Sequence, residues 1–206
     1  MRQKKLLLTG FEPFLDHPIN PTEQIVKTLE KRDIGEYQVY GHILPVRFNE
    51  SAKELIDVFE EIQPDVVISL GLAAGRNRIT PERVAINCND GEPDNEGMSY
   101  CDQAIQPDGP AAYFSTLPLR QIVDTLQEHQ FPAEISNSAG TYLCNNIMYQ
   151  MLHYIDEQGL DVRSGFIHIP ASHELTIQSR KGYPSWSMES LISALQLIIS
   201  CLDNDK

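Results

Sequence analysis

Basic residues are scarce. The chain of 206 residues carries 16 lysines and arginines against 29 aspartates and glutamates, a formal net charge of -13. No lysine/arginine cluster rises from that background, which speaks against a nucleic-acid partner or an anionic membrane surface. Long hydrophobic runs are also missing: no apolar stretch approaches the roughly 20 residues that span a bilayer. The opening MRQKKLLLTGFEPF has basic residues followed by a short apolar run. That run stops at Thr9-Gly10 without a small-residue cleavage site, so it reads as a first strand and not as a signal peptide. A soluble, intracellular protein is expected. Cysteine is sparse as well. Cys88, Cys101, Cys144 and Cys201 are scattered, with no CxxC pair, which points to reduced thiols and excludes the usual zinc spacings.

What is present is an apolar core. Hydrophobic residues make up 41% of the chain, enough for one sizeable core and a single domain over residues 1–206. Apolar runs alternate with helical patterns. Strands are expected over 5–10, 37–44, 65–71, 83–87, 133–138 and 164–170. Helices are expected over 20–31, 49–62, 119–129, 145–157 and 187–202, with Asn20, Asn49 and Ser187 as N-caps and Pro21 in a first helical turn. This alternation of buried strands and amphipathic helices predicts an α/β fold, a three-layer α/β/α sandwich around a mostly parallel sheet. The polar segment 88–110 is too long for a simple connector and is expected to be a functional or interface loop.

Sites in such folds lie beyond the carboxyl ends of the strands. Cys144 follows an expected strand and a glycine turn, and it opens a helix. The unpaired N–H groups of a helix N-terminus carry partial positive charge, which favours a thiolate and can receive an oxyanion. A small buried core residue is the alternative reading. A thiol nucleophile needs an imidazole and a group that orients it. His17, His42, His129 and His153 read as solvated or structural. His168 interrupts an apolar strand near its carboxyl end, as a base or as a buried, backbone-satisfied histidine. His173 lies five residues on, in a loop. Glu82 leads into an apolar strand, as an orienting carboxylate or as the partner of Arg83 or another arginine.

The motifs LLTGFEPF, NPT, ITPERVAIN, PDNEG, GPAAYFSTLP, SAGTYLCN and GFIHIP, in this order and nearly end to end, resemble the pyrrolidone-carboxylate peptidases, a family of cysteine peptidases also called pyroglutamyl-peptidase I. The resemblance implies removal of an N-terminal pyroglutamyl residue from peptides through a thiolate acyl-enzyme. It places a catalytic triad on Glu82, Cys144 and His168. It also implies no metal or cofactor, a cytoplasmic location and a homotetramer. Pyroglutamate is a lactam without a free amine, so its pocket needs apolar walls. Phe11 and Phe14 are expected to form them, although two phenylalanines after a first strand are otherwise plain core. Leu72 and Leu143 are expected beside them.

Three departures from the family pattern stand out. GLAAGR has Leu72 where the family usually has glutamine. GEPDNEG is one residue short at Gly91-Glu92 and lacks an arginine. IPASHEL follows His168 in place of the usual sequence. They would be the signature of a related thiol amidase of altered acyl specificity; a non-catalytic binding protein that keeps the fold is the other alternative, against which the intact triad argues.

Overall fold

The computed structural model describes residues 2–204. Strand β1 (Lys4–Phe11) leads to helix α1 (Pro21–Leu29), then β2 (Asp33–Ile34), β3 (Tyr37–Leu44), α2 (Ser51–Ile62) and β4 (Val66–Leu72). Short strands β5 (Thr80–Pro81), β6 (Val84–Ile86) and β7 (Ala112–Phe114) precede α3 (Leu119–Glu128) and α4 (Leu143–Glu157). The chain closes with β8 (Arg163–Ile169), β9 (Ala171–Ser172), α5 (His173–Ser179), β10 (Ser185–Trp186) and α6 (Met188–Cys201).

Six strands form the central sheet in the order β2-β3-β1-β4-β8-β5. The inner pairings are parallel, and β2 and β5 run antiparallel at the two edges. Side chains alternate across a strand, so each strand supplies both faces. Leu6, Leu8, Val66, Ile68, Leu70, Ile167 and Ile169 pack with the apolar stripes of α1, α3 and α6. Leu7, Phe11, Val67 and Phe166 pack with those of α2 and α4. The result is the expected three-layer sandwich. Each fully buried aliphatic side chain contributes roughly 1.5–3 kcal/mol. The buried Thr9 hydroxyl donates to Ser69 Oγ at 2.9 Å, so this polar pair inside the sheet is satisfied. Among the described residues no helix is long and apolar enough to cross a membrane.

Helix starts follow local chemistry in two of the three expected cases. Asn20 accepts from Thr22 N, and Ser187 accepts from Ser190 N; such caps contribute about 1 kcal/mol each. The expected cap at Asn49 is not formed. Helix α2 begins at Ser51 after Glu50, without a side-chain cap, and the Ser51 hydroxyl bonds back to the carbonyls of Pro45 and Arg47. The strand expected over 133–138 reduces to two isolated bridges, Ile79 with Ala133 and Glu82 with Ser136, because the short edge strand β5 offers too little ladder to pair with. His173, expected in a loop, is the first residue of α5.

Candidate active site

The carboxyl end of β8 sets the site's geometry. Residues 166 and 168 share one face of the strand by its period of two, so His168 joins Phe166 on the side covered by α4. The two rings lie 4.9 Å apart. Gly71, opposite His168 in the neighbouring strand β4, makes room for them. A Cβ at position 71 would stand 2.5 Å from Phe166 and 3.0 Å from His168.

Strand β5 runs antiparallel to β8 and delivers Glu82, whose backbone N–H donates to Phe166 O at 2.8 Å. The Glu82 side chain is fully buried. Its Oε1 accepts from His168 Nδ1 at 2.7 Å and from Arg76 Nη1 at 2.7 Å. Oε2 has no partner; the Ser136 hydroxyl lies near enough to favour the carboxylate, while donating to Ser138 O. Burial pushes the Glu82 pKa up, but hydrogen bonding and charge from His168, then Ser136 and Arg76, outweigh it and hold the group below the ordinary carboxylate value. The arginine partner is thus Arg76 and not the adjacent Arg83, which bonds Asn137.

On its other side His168 interacts with Cys144. Burial alone would lower the imidazole pKa. The charge and hydrogen bond of Cys144, reinforced by Glu82, overcome that and raise it to about 9. Cys144 stands in the first turn of α4, half-buried. The N-cap residue Tyr142 provides no side-chain cap, so the first-turn N–H groups stay available beside the sulfur. The following Asn145 and Asn146 fasten this helix end to the 88–110 segment. Asn145 bonds both Ile86 N and the carbonyls of Ile86 and Cys88, and Asn146 Nδ2 donates to Asn89 Oδ1 at 2.9 Å. Further along that segment Asp94 accepts from the backbone N–H groups of Phe48, Glu96 and Met98. Asn95 Nδ2 reaches Glu12 Oε1 and Pro13 O, so the long loop is anchored to the turn that carries Phe14.

A small apolar pocket opens beside Cys144. Phe11, Phe14, Leu72 and Leu143 all line it, and so do Val46 and Tyr142. The last two escaped the sequence reading because neither belongs to a strand end with a recognisable chemical signal. Tyr142 is fixed by donating to Pro93 O at 3.2 Å, and burial pushes its pKa up to about 12. His173 pairs with Ser185 Oγ at 2.8 Å. Cys201 is buried in packing, and Cys101 is exposed in the loop.

An α/β/α sandwich that gathers a thiol, an imidazole and a buried carboxylate at one helix end has the make-up of a cysteine-type hydrolase. The family model described as pyroglutamyl peptidase matches residues 4–204. A pyrrolidone-carboxylate peptidase of Oceanobacillus iheyensis is 52% identical over 97% of this chain and 100% of that protein. One from Halalkalibacterium halodurans is 55% identical, over 94% and 96%. The solved structure of pyrrolidone carboxyl peptidase from Thermococcus litoralis superposes with a TM-score of 0.93 at 43% identity, covering 98% of this chain and 94% of that one. The chain belongs to the pyroglutamyl peptidase family.

Proposed function

We propose that this chain removes N-terminal pyroglutamate from peptides, acting as one peptidase domain with Cys144 as nucleophile, His168 as general acid and base, and Glu82 as the group that orients His168. The observation that carries this reading is the placement of His168 between the buried Glu82 carboxylate and Cys144, whose side chain lines an apolar pocket.

The Cys144 thiolate attacks the carbonyl carbon joining pyroglutamate to the next residue. The first-turn N–H groups of α4 face the developing oxyanion. As the C–N bond breaks, the leaving amine takes its proton from imidazolium His168, leaving a thioester. Neutral His168 then draws a proton from water, which attacks the thioester. The thiolate departs, the imidazolium is re-formed and pyroglutamate is released. Glu82 holds the Nδ1–H tautomer in place and stabilises each imidazolium. Phe11, Phe14, Leu72 and Leu143 supply the apolar surface that a lactam ring fits.

Leu72 at the pocket wall also favours a second reading, a thiol amidase with a broadened acyl preference. Hydrolysis of a pyroglutamyl amide beside other N-acyl amides separates the two. The expected result is strong preference for the pyroglutamyl amide and loss of most activity in a folded Cys144→Ser variant. Near-normal turnover in that variant removes Cys144 from the mechanism. Action in the cytoplasm and assembly as a homotetramer belong to the same proposal, and sedimentation of the purified protein tests the assembly.

A further inference from the structure

Arg76 was not singled out by the sequence, yet it touches the innermost acidic group of the site. The turn after β4 presents it, with Arg76 N donating to Ala73 O at 2.9 Å. Its Nη1 donates both to Thr80 Oγ1 at 2.5 Å and to Glu82 Oε1 at 2.7 Å. The side chain is about one-third exposed, whereas that of Glu82 is wholly buried. Its outer side faces an open cavity shared with Gly75, Asn77, Arg78, Ser136 and Pro184.

The other groups around Glu82 do not duplicate this contact. His168 approaches from β8, with Cys144 beyond it. Thr80 and Ser136 are neutral. Arg83 turns to Asn137 at 2.7 Å, and Arg78 to Glu134 at 2.8 Å. Among the described residues, Arg76 and His168 are therefore the two cationic groups in hydrogen-bond contact with the carboxylate.

That matters because, in the reaction proposed above, His168 gives up its charge halfway through the cycle. While the acyl-enzyme persists and His168 is neutral, a carboxylate with only that neighbour would be a buried, uncompensated anion. Such a group lowers its energy by taking a proton. A protonated Glu82 would neither fix the Nδ1–H tautomer nor stabilise the imidazolium on the return step. We propose that Arg76 is a positioning residue that keeps Glu82 ionised and in register with His168 throughout the cycle, acting from the solvent side through the cavity behind the site. This inference rests on the assignment of Glu82, Cys144 and His168 made above.

The test compares Arg76→Met, Arg76→Gln, Arg76→Lys and Arg76→Ala. Turnover of a pyroglutamyl amide is measured across pH, together with the rate at which iodoacetamide alkylates Cys144, located by mass spectrometry. The Met and Gln variants should lower kcat by roughly tenfold, a fraction of the roughly 10²–10⁴-fold that general acid–base catalysis supplies, with KM nearly unchanged. Their acid limbs, in turnover and in alkylation, should shift to higher pH because Glu82 protonates more readily. Arg76→Lys should keep the wild-type profile. Guanidinium at millimolar concentration should restore turnover in Arg76→Ala by entering the open cavity, whereas sodium chloride of equal ionic strength should not.

Wild-type kcat and pH limbs in folded Met or Gln variants overturn the proposal. If those two do not fold, a Lys variant with displaced pH limbs overturns it, and one with wild-type limbs together with guanidinium rescue upholds it. Alkylation needs no substrate. A chain that failed to cleave pyroglutamyl amides would refute the proposed substrate while the alkylation profiles still judged Arg76.

Discussion

Glu82 Oε1 and His168 Nδ1 lie 2.7 Å apart although 86 residues separate them in the chain. The antiparallel pairing of β5 with β8 sets that distance, with Thr80 opposite His168 and Pro81 opposite Ile167. Since Glu82 is buried and held as a carboxylate, Glu82→Gln should preserve shape while removing the charge. The expected outcome is a kcat lower by roughly 10²–10⁴-fold with a modest change in KM, by analogy with the loss of an orienting carboxylate in hydrolase triads. Steady-state kinetics check this, and a change confined to KM would contradict the orienting role.

The His168 imidazole should titrate near 9, because the charge and hydrogen bond of Cys144 and then Glu82 overcome its burial. Cys144→Ser removes the largest of the raising influences, so the His168 pKa should fall in that variant. The linkage has a definite sign. A pKa raised above its ordinary 6.5 contributes stability that is fully present below that value and fades as pH rises through about 9. Thermal stability should therefore fall over that window in the wild type and at lower pH in the Ser variant. An NMR titration of the imidazole that gave the same pKa in both proteins would refute the coupling.

Gly71→Ala should be destabilising, since its Cβ would meet Phe166 at 2.5 Å and His168 at 3.0 Å. Overpacking of this kind costs roughly 1–3 kcal/mol, or a Tm lower by roughly 2–4 °C for each kcal/mol in a chain of this size. Activity should fall further than stability alone requires, because Cδ2 of the imidazole is crowded along with the Phe166 ring. A variant with wild-type Tm and kcat would show that the strand absorbs the methyl group without moving His168.

Leu72 lines the pocket at the end of β4 but offers no hydrogen bond to a lactam. A hydrogen bond supplied by Leu72→Gln contributes roughly 0.5–1.5 kcal/mol, so KM for a pyroglutamyl amide should fall by up to roughly tenfold. Phe14→Ala should raise KM by removing apolar wall. If Leu72→Gln leaves KM and substrate preference unchanged while Phe14→Ala raises KM strongly, Leu72 only packs the loop.

The sequence by itself determined the α/β alternation, the caps at Asn20 and Ser187, and the side-chain types fit for thiol chemistry, because periodicity and capping are settled within a few residues of chain. Its failures were also local readings that lost to distant partners. The Asn49 side chain accepts from the Tyr100 hydroxyl at 3.2 Å in place of capping α2, and residues 133–138 make only isolated bridges to a short edge segment. Only the tertiary structure decided which of several arginines reaches Glu82, how the 88–110 segment braces the start of α4 through Asn145 and Asn146, and that Val46 and Tyr142 share the pocket wall with Phe11 and Phe14. Those contacts depend on strand register and layer packing, which bring together residues tens of positions apart; no local pattern of charge or hydrophobicity encodes that distance.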